Sequence, residues 1–410
     1  MATVLFCPVT FNLAETTRMI EVARALSPGH TAVFLGYEAD YVPLITAAGF
    51  EYHGCEPAWS QAERDQALRL DQGKALRSPF TADLVRARVA AERRLIREHD
   101  ARAVVIGSNV TSLLSARAER VPLFYPVPFA LTRPQVQQTR RMGLVRGWGR
   151  VARTADLVST AALRWAYLHA PLAPRAFTTV ARELGVPPLR TLGSLLEADV
   201  NLVTVLAPEL DGYELPAGYR RVGPIFAHLD APVPPMVTAL AQAPQPLVYL
   251  ALGSSADRRL ALAAARELGS LPVNVVAPIA HYLADGDEVP PNVHVTGLLP
   301  AHRLGGLVDA AVLHGGQGTV QTACAIGVPF VGMGLQPEQV WNVDVWQRRG
   351  NALSLPPRAA GTGQLAVAVA RILAEPSFRA AADGVRLECA GADGAAASAR
   401  AIEEVLAPPG

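Results

Sequence analysis

The stretch Ala311-Val312-Leu313-His314-Gly315-Gly316-Gln317-Gly318-Thr319-Val320 decides how this chain is read. Three apolar residues predict the end of a buried strand. A glycine-rich turn follows, then a helix over Val320 to Ile326 that stops at Gly327-Val328-Pro329. Glycines 315, 316 and 318 let backbone amides approach a ligand closely, because no Cβ stands in the way. The helix start presents unpaired N–H groups and the positive end of its dipole, a seat for a diphosphate. The Thr319 hydroxyl adds a hydrogen bond there, and His314 can offer a ring N–H to a phosphate or sugar oxygen. Taken alone, the same turn also suits a tight strand-to-helix connection around a buried histidine.

Working outward, apolar strands alternate with amphipathic helices on both sides of this turn. Leu247–Leu252, Val273–Ala277, Val293–Thr296 and Pro329–Gly332 read as strands around it. Thr3–Val9, Thr31–Leu35, Val104–Gly107, Leu123–Tyr125 and Leu202–Leu206 form an earlier series. Continuous apolar strands of this kind belong to parallel sheet covered on both faces. The chain therefore reads as α/β, two doubly wound (Rossmann-like) domains facing a central cleft. Its 410 residues suit two domains better than one core. The expected boundaries are an N-terminal domain over 1–228, a Pro-rich linker over 229–246, a C-terminal domain over 247–390 and a helical tail over 391–410. Ligands of such sheets bind beyond the carboxyl ends of the strands.

Composition narrows the partners. A net charge of +1 gives no reason to expect nucleic acid. Cys7, Cys55, Cys324 and Cys389 are too scattered for a metal site or a disulfide framework, and no metal is expected. Asp285-Gly286-Asp287 beside Pro290-Pro291 reads as a turn. The start Met1-Ala2-Thr3-Val4-Leu5-Phe6 lacks the features of a signal peptide, and no run is long enough to span a bilayer, so a cytoplasmic setting is expected. Residues 133–190 stand apart: ten arginines face only Asp156 and Glu183, with Trp148, Trp165, Tyr167 and Phe177 between them. Solvated surface helices explain this, and so does a cationic, aromatic surface for an anionic or membrane-dissolved acceptor, which leaves peripheral membrane contact open.

Two neighbours give the His314 turn its meaning. Gly253-Ser254-Ser255 closes the first strand of the second half, where Ser254 and Ser255 can cap a helix or reach a phosphate. Gln336-Pro337-Glu338-Gln339 follows the strand containing Val331, and a carboxylate beside an amide suits paired sugar hydroxyls. The Gly-x-Gly-x-x-Gly dinucleotide pattern is absent after Leu5 and Leu252.

The order Gly-Ser-Ser, His-Gly-Gly-x-Gly-Thr, Gly-Val-Pro, Glu-Gln and Asn342 resembles the bacterial family-one glycosyltransferases, strongly over residues 247–352. The resemblance implies the GT-B architecture and inverting sugar transfer from a nucleotide diphosphate sugar. That donor is a co-substrate, and no further cofactor is expected; the acceptor would be small and largely apolar, such as a natural product. By position, Ser254, Ser255 and the run His314, Gly315, Gly316, Gln317, Gly318, Thr319 would hold the diphosphate. Glu338 and Gln339 would hold the sugar, and Leu298, Leu299 and Pro300 would line the base pocket.

The sequence departs from that family in two places. Where many UDP-sugar relatives carry a ribose-binding Glu, this chain has Thr322, which favours a dTDP donor, although Glu338-Gln339 suits a well-hydroxylated sugar. The family's histidine base would fall at Glu15, within Asn12-Leu13-Ala14-Glu15. A carboxylate in a cleft can act as general base, and Asn12 is a second candidate for positioning the acceptor. A helix-start role for Glu15 is equally open. His53, His99 and the other histidines outside the turn stand in no motif. A lipid-directed enzyme, a non-catalytic sugar-nucleotide binder and an epimerase remain as competing readings.

Overall fold

The computed structural model describes residues 2–71, 77–145, 149–228, 231–253 and 255–407. The chain divides into two compact units, residues 1–227 with 393–410, and residues 228–392.

The first unit is built on a parallel sheet of β1 (Ala2–Cys7), β2 (His30–Gly36), β3 (Glu51–Gly54), β4 (Ala101–Ile106), β5 (Leu123–Val127), β6 (Val200–Val203) and β7 (Tyr219–Arg221). The strand order is β3-β2-β1-β4-β5-β6-β7, so the winding reverses between β1 and β4. Its helices are α1 (Leu13–Ala25), α2 (Val42–Ala47), α3 (Gln61–Asp71), α4 (Ala82–Glu98), α5 (Ser112–Glu119), α6 (Arg133–Gln138), α7 (Arg150–His169) and α8 (Arg175–Leu184). Helix α1 begins at Asn12, whose Oδ1 accepts from the Glu15 N–H at 3.3 Å. Its apolar stripe of Met19, Ile20, Val22 and Ala23 then packs with Val4, Phe6 and Phe34 in one buried cluster.

The second unit repeats the scheme with six parallel strands. They are β8 (Leu247–Ala251), β9 (Asn274–Ala277), β10 (Val293–Val295), β11 (Ala310–Leu313), β12 (Phe330–Gly332) and β13 (Ala352–Ser354). The order β10-β9-β8-β11-β12-β13 reverses between β8 and β11. The helices are α9 (Pro235–Ala241), α10 (Arg258–Leu268), α11 (Gln317–Ala325), α12 (Pro337–Arg349), α13 (Gln364–Ala374) and α14 (Pro376–Cys389). Val248, Leu250, Val275, Val312 and Val331 form the centre of its core with the inner faces of α10 and α13.

Several details differ from the sequence expectations. The edge strands β3, β7 and β13 were not anticipated, since none contains a long apolar run. Helix α11 starts at Gln317, three residues before the expected Val320, because Gly316 already serves as its N-cap. The Pro-rich segment read as a linker contains α9, which starts at Pro235 as proline prefers. The last helix, α15 (Gly394–Leu406), joins the first unit, where Ala401 and Ile402 enter the cluster around α1.

Candidate functional site

In the second unit the reversal point is occupied by His314. Its backbone N–H donates to the Ala251 carbonyl at 3.3 Å, and its Nδ1 faces the same oxygen at 3.4 Å. A carbonyl only accepts, so Nδ1 carries the proton. The ring is buried, and burial pushes its pKa below the ordinary histidine value, with the Ala251 bond opposing. The neutral ring therefore offers Nε2 as an acceptor and becomes a donor there only when protonated. In that tautomer a ring N–H reaches a phosphate only once Nε2 is protonated.

Two glycines make room for the imidazole. A Cβ on Gly316 would lie 2.3 Å from Nε2, and one on Gly253 would lie 2.5 Å from Cε1. Gly253 also has φ +62, which a side chain would resist. The turn is braced from behind by α12. Asn342 Nδ2 donates to the Gly315 carbonyl at 2.9 Å, and a Cβ on Gly315 would meet the Gln339 carbonyl at 2.7 Å. Gly316, the N-cap of α11, has no side chain with which to cap it, so the helix start at Gln317, Gly318 and Thr319 is presented by backbone beside His314. Gln317 itself is buried, Gly318 exposed and Thr319 half-buried.

The remaining donor candidates separate. Ser254 lies outside the described residues. Ser255 Oγ accepts from Gln339 Nε2 at 3.2 Å, while Gln339 Oε1 takes the Leu335 N–H at 2.9 Å and Nε2 also donates to Gln336 at 2.9 Å. The Gln339 amide is thus a brace between α12 and the loop after β8, and Glu338, half-buried at the start of α12, is the more accessible of the pair. Leu299 is 3% exposed and belongs to the core, whereas Leu298 is 62% exposed. Thr322 donates to the Gly318 carbonyl at 2.7 Å, so its oxygen is left as an acceptor only.

In the first unit, Glu15 occupies the corresponding reversal point. Its Oε1 accepts from the Val9 N–H after β1 at 2.6 Å and from the Ser108 N–H after β4 at 3.0 Å. Glycine at 107 makes room for this carboxylate, because a Cβ there would stand 1.9 Å from Oε1 and displace the Glu15 side chain. Burial raises the Glu15 pKa, opposed by the two amides, the Ser108 side chain and Arg18. Asn12 is exposed and caps α1.

Beside Glu15 lies a group that the sequence did not disclose. Arg88 is buried between Tyr37 and Trp59, with its guanidinium carbon 3.8 and 4.7 Å from the ring centres, and pairs with Glu38 at 3.4 Å. Phe11, Trp59 and Phe80 form a chain of ring contacts at 6.2 and 5.0 Å. A narrow slit is lined by Phe11, Trp59, Phe80, Glu38, Arg88 and Asn109. Behind it, the buried Glu92 accepts from Tyr37 at 2.8 Å, Thr111 at 2.5 Å, Asn109 at 3.3 Å and Ser115. One signal could have revealed it: Glu92 interrupts the apolar stripe Val85, Val89, Ile96 of α4.

Comparison with known proteins gives these features a family. Residues 263–405 match the model described as "Erythromycin biosynthesis protein CIII-like, C-terminal domain". The "PGL/p-HBAD biosynthesis glycosyltransferase" of Mycobacterium tuberculosis is 28% identical over 399 residues, covering 92% of this chain and 86% of that protein. The "TDP-daunosamine transferase DnrS" of Streptomyces peucetius is 31% identical over 175 residues, 41% of each chain. In fold, the chain matches the crystal structure of glycosyltransferase VinC in complex with dTDP, with a TM-score of 0.69 at 18% identity and 98% of each chain covered. With two parallel-sheet α/β units and the His314 turn in place, this chain belongs to the bacterial family-one glycosyltransferases of GT-B architecture.

Proposed function

We propose that the chain transfers a sugar with inversion from a dTDP-sugar, ahead of a UDP-sugar, to a hydroxyl of a small, apolar acceptor with an aromatic ring. The observation that carries this reading is the buried His314 clasped by Gly253 and Gly316 at the glycine N-cap of α11. Amides aimed at one place and a protonatable ring meet the charge of a departing diphosphate. The reading needs no resident metal or cofactor, because these groups carry that charge. Glu338 serves the sugar, and Leu298 walls the base. Thr322 can accept from one ribose hydroxyl, where a glutamate would accept from two, which suits deoxyribose. The names of the daunosamine transferase and of the dTDP-bound VinC point the same way.

The aromatic chain Phe11, Trp59, Phe80 suits a flat apolar acceptor, and Glu15 next to it takes the proton from the attacking hydroxyl. A thermal-shift series tests the donor side. A ligand that binds only the folded state adds RT ln(1 + [L]/Kd), about 2.7 kcal/mol at a hundredfold excess over Kd. dTDP should raise the melting temperature more than UDP at equal concentration. A flat response to every nucleotide diphosphate and nucleotide sugar would remove the donor site from the proposal.

A second acceptor reading has its own observation. On α7, Val151, Val158 and Trp165 are 85%, 64% and 64% exposed and recur every seven residues, so they share one face. Arg150 and Arg153 are exposed on the same helix, and no helix among the described residues is long and apolar enough to cross a membrane. An apolar stripe flanked by arginine fits an anionic lipid surface, at about 1 kcal/mol per basic residue near the headgroups. The protein should sediment with phosphatidylglycerol vesicles and not with phosphatidylcholine vesicles. Replacing Val158 and Trp165 by glutamate should abolish this. Sedimentation unaffected by that pair of changes would exclude α7 as a membrane face.

A further inference from the structure

We propose that Glu51, His53 and His99 form a binding site for a zinc-class divalent cation on the first unit. Glu51 and His53 are two residues apart on β3 and so project from the same face of the edge strand. His99 ends α4 and comes from a distant part of the sequence. Glu51 Oε1 lies 2.8 Å from His53 Nε2, and the two imidazoles meet edge to face with centres 4.7 Å apart. One possible ligand atom from each residue falls within 4.8 Å of the others.

Two imidazoles and one carboxylate are a donor set that zinc takes with a water at the fourth position. Bonds of ~2.0–2.1 Å in a tetrahedron separate ligand atoms by roughly 3.3 Å. The present separations reach that value through small side-chain rotations. His53 and Glu51 keep 32% and 56% of their side-chain surface, which leaves an entry path from solvent. Oxygen-seeking ions such as magnesium prefer carboxylate and water ligands and match this set poorly.

The site is separate from Glu15. His99 precedes the first residue of β4 and Ser108 follows the last; six residues at ~3.3 Å each put them about 20 Å apart. A cation there would tie the edge strand β3 to the connection between α4 and β4. Its role is therefore a clamp on the fold rather than part of sugar transfer.

Calorimetry on the full-length, chelator-treated protein tests this with zinc chloride, using magnesium chloride as control. The expected result is one zinc per chain, a zinc-dependent rise in melting temperature and no magnesium response. Losing an outer-shell partner alone weakens metal sites by about 10–100-fold, so His53→Gln or His99→Asn should each cost at least that. Both positions can be changed without opening a core, and far-ultraviolet circular dichroism checks that the fold persists. Absence of zinc binding, or zinc binding of undiminished affinity in the His53→Gln/His99→Asn double variant, overturns the proposal.

Discussion

Glu15→Gln should lower kcat by about 10²- to 10⁴-fold, the usual contribution of a general base, while donor affinity and the fold stay unchanged. The substitution isolates the chemistry because a glutamine Oε1 can still accept from the Val9 and Ser108 amides that now hold the carboxylate. Glu15→Ala is a poorer test. It leaves two buried amides unpaired at about 1–3 kcal/mol each, so lost activity and lost stability would be confounded. The pH profile adds a second signature. Burial raises the Glu15 pKa, so the proton acceptor disappears as pH falls, and the wild-type rate should decline on the acid side above the ordinary glutamate value. The glutamine variant should lose that acid limb. Activity within a few-fold of wild type in Glu15→Gln would assign the residue to bracing the strand ends alone.

The second large effect is expected at His314. His314→Ala should reduce kcat by about 10²- to 10³-fold, the range found when one preorganised donor to a developing anion is removed. The glycines that clasp the ring would then border an empty space, so Gly253 and Gly316 would no longer position anything. Proton linkage separates this role from packing. Burial lowers the pKa in the free protein, and a bound diphosphate anion favours the imidazolium. Binding therefore takes up a proton, and dTDP affinity should rise as pH falls from the pKa of the complex towards that of the free protein. Calorimetric titration with dTDP over about pH 6 to 8, the range in which histidine titrates, should show this slope in wild type and none in His314→Ala. A wild-type affinity independent of pH would argue that the ring stays neutral and acts as an acceptor.

The sequence was informative where local chemistry is self-announcing. The glycines around His314 imply close backbone approach, and the structure uses them to seat the imidazole and the turn. Apolar runs sufficed for ten of the strands, yet β3, β7 and β13 lie at sheet edges, where half-exposed positions carry no apolar signal. Gln339 was read as a sugar ligand from an amide beside a carboxylate and from the resemblance; only coordinates reveal that the same amide bonds to Leu335, Ser255 and Gln336. Arg88 and Glu92 lie in a helix dense with arginine and glutamate, where buried and solvated charges look alike until the tertiary fold selects among them. Glu15 was found by alignment to a family histidine, and its two amide partners, brought together across β1 and β4, were invisible in the string.

Helix α15 changes how the protein must be made. The Ser27 amide donates to Glu403 at 2.8 Å, the Gly394 amide donates to the Pro224 carbonyl at 3.0 Å, and Ile402 is wholly buried in the cluster around α1. In sequence the second unit is therefore an insertion within the first. During translation, residues 228–392 can complete their own core before residues 393–407 exist. The unit begun earliest on the ribosome is the one finished last, and until then it exposes the groove that α15 will fill.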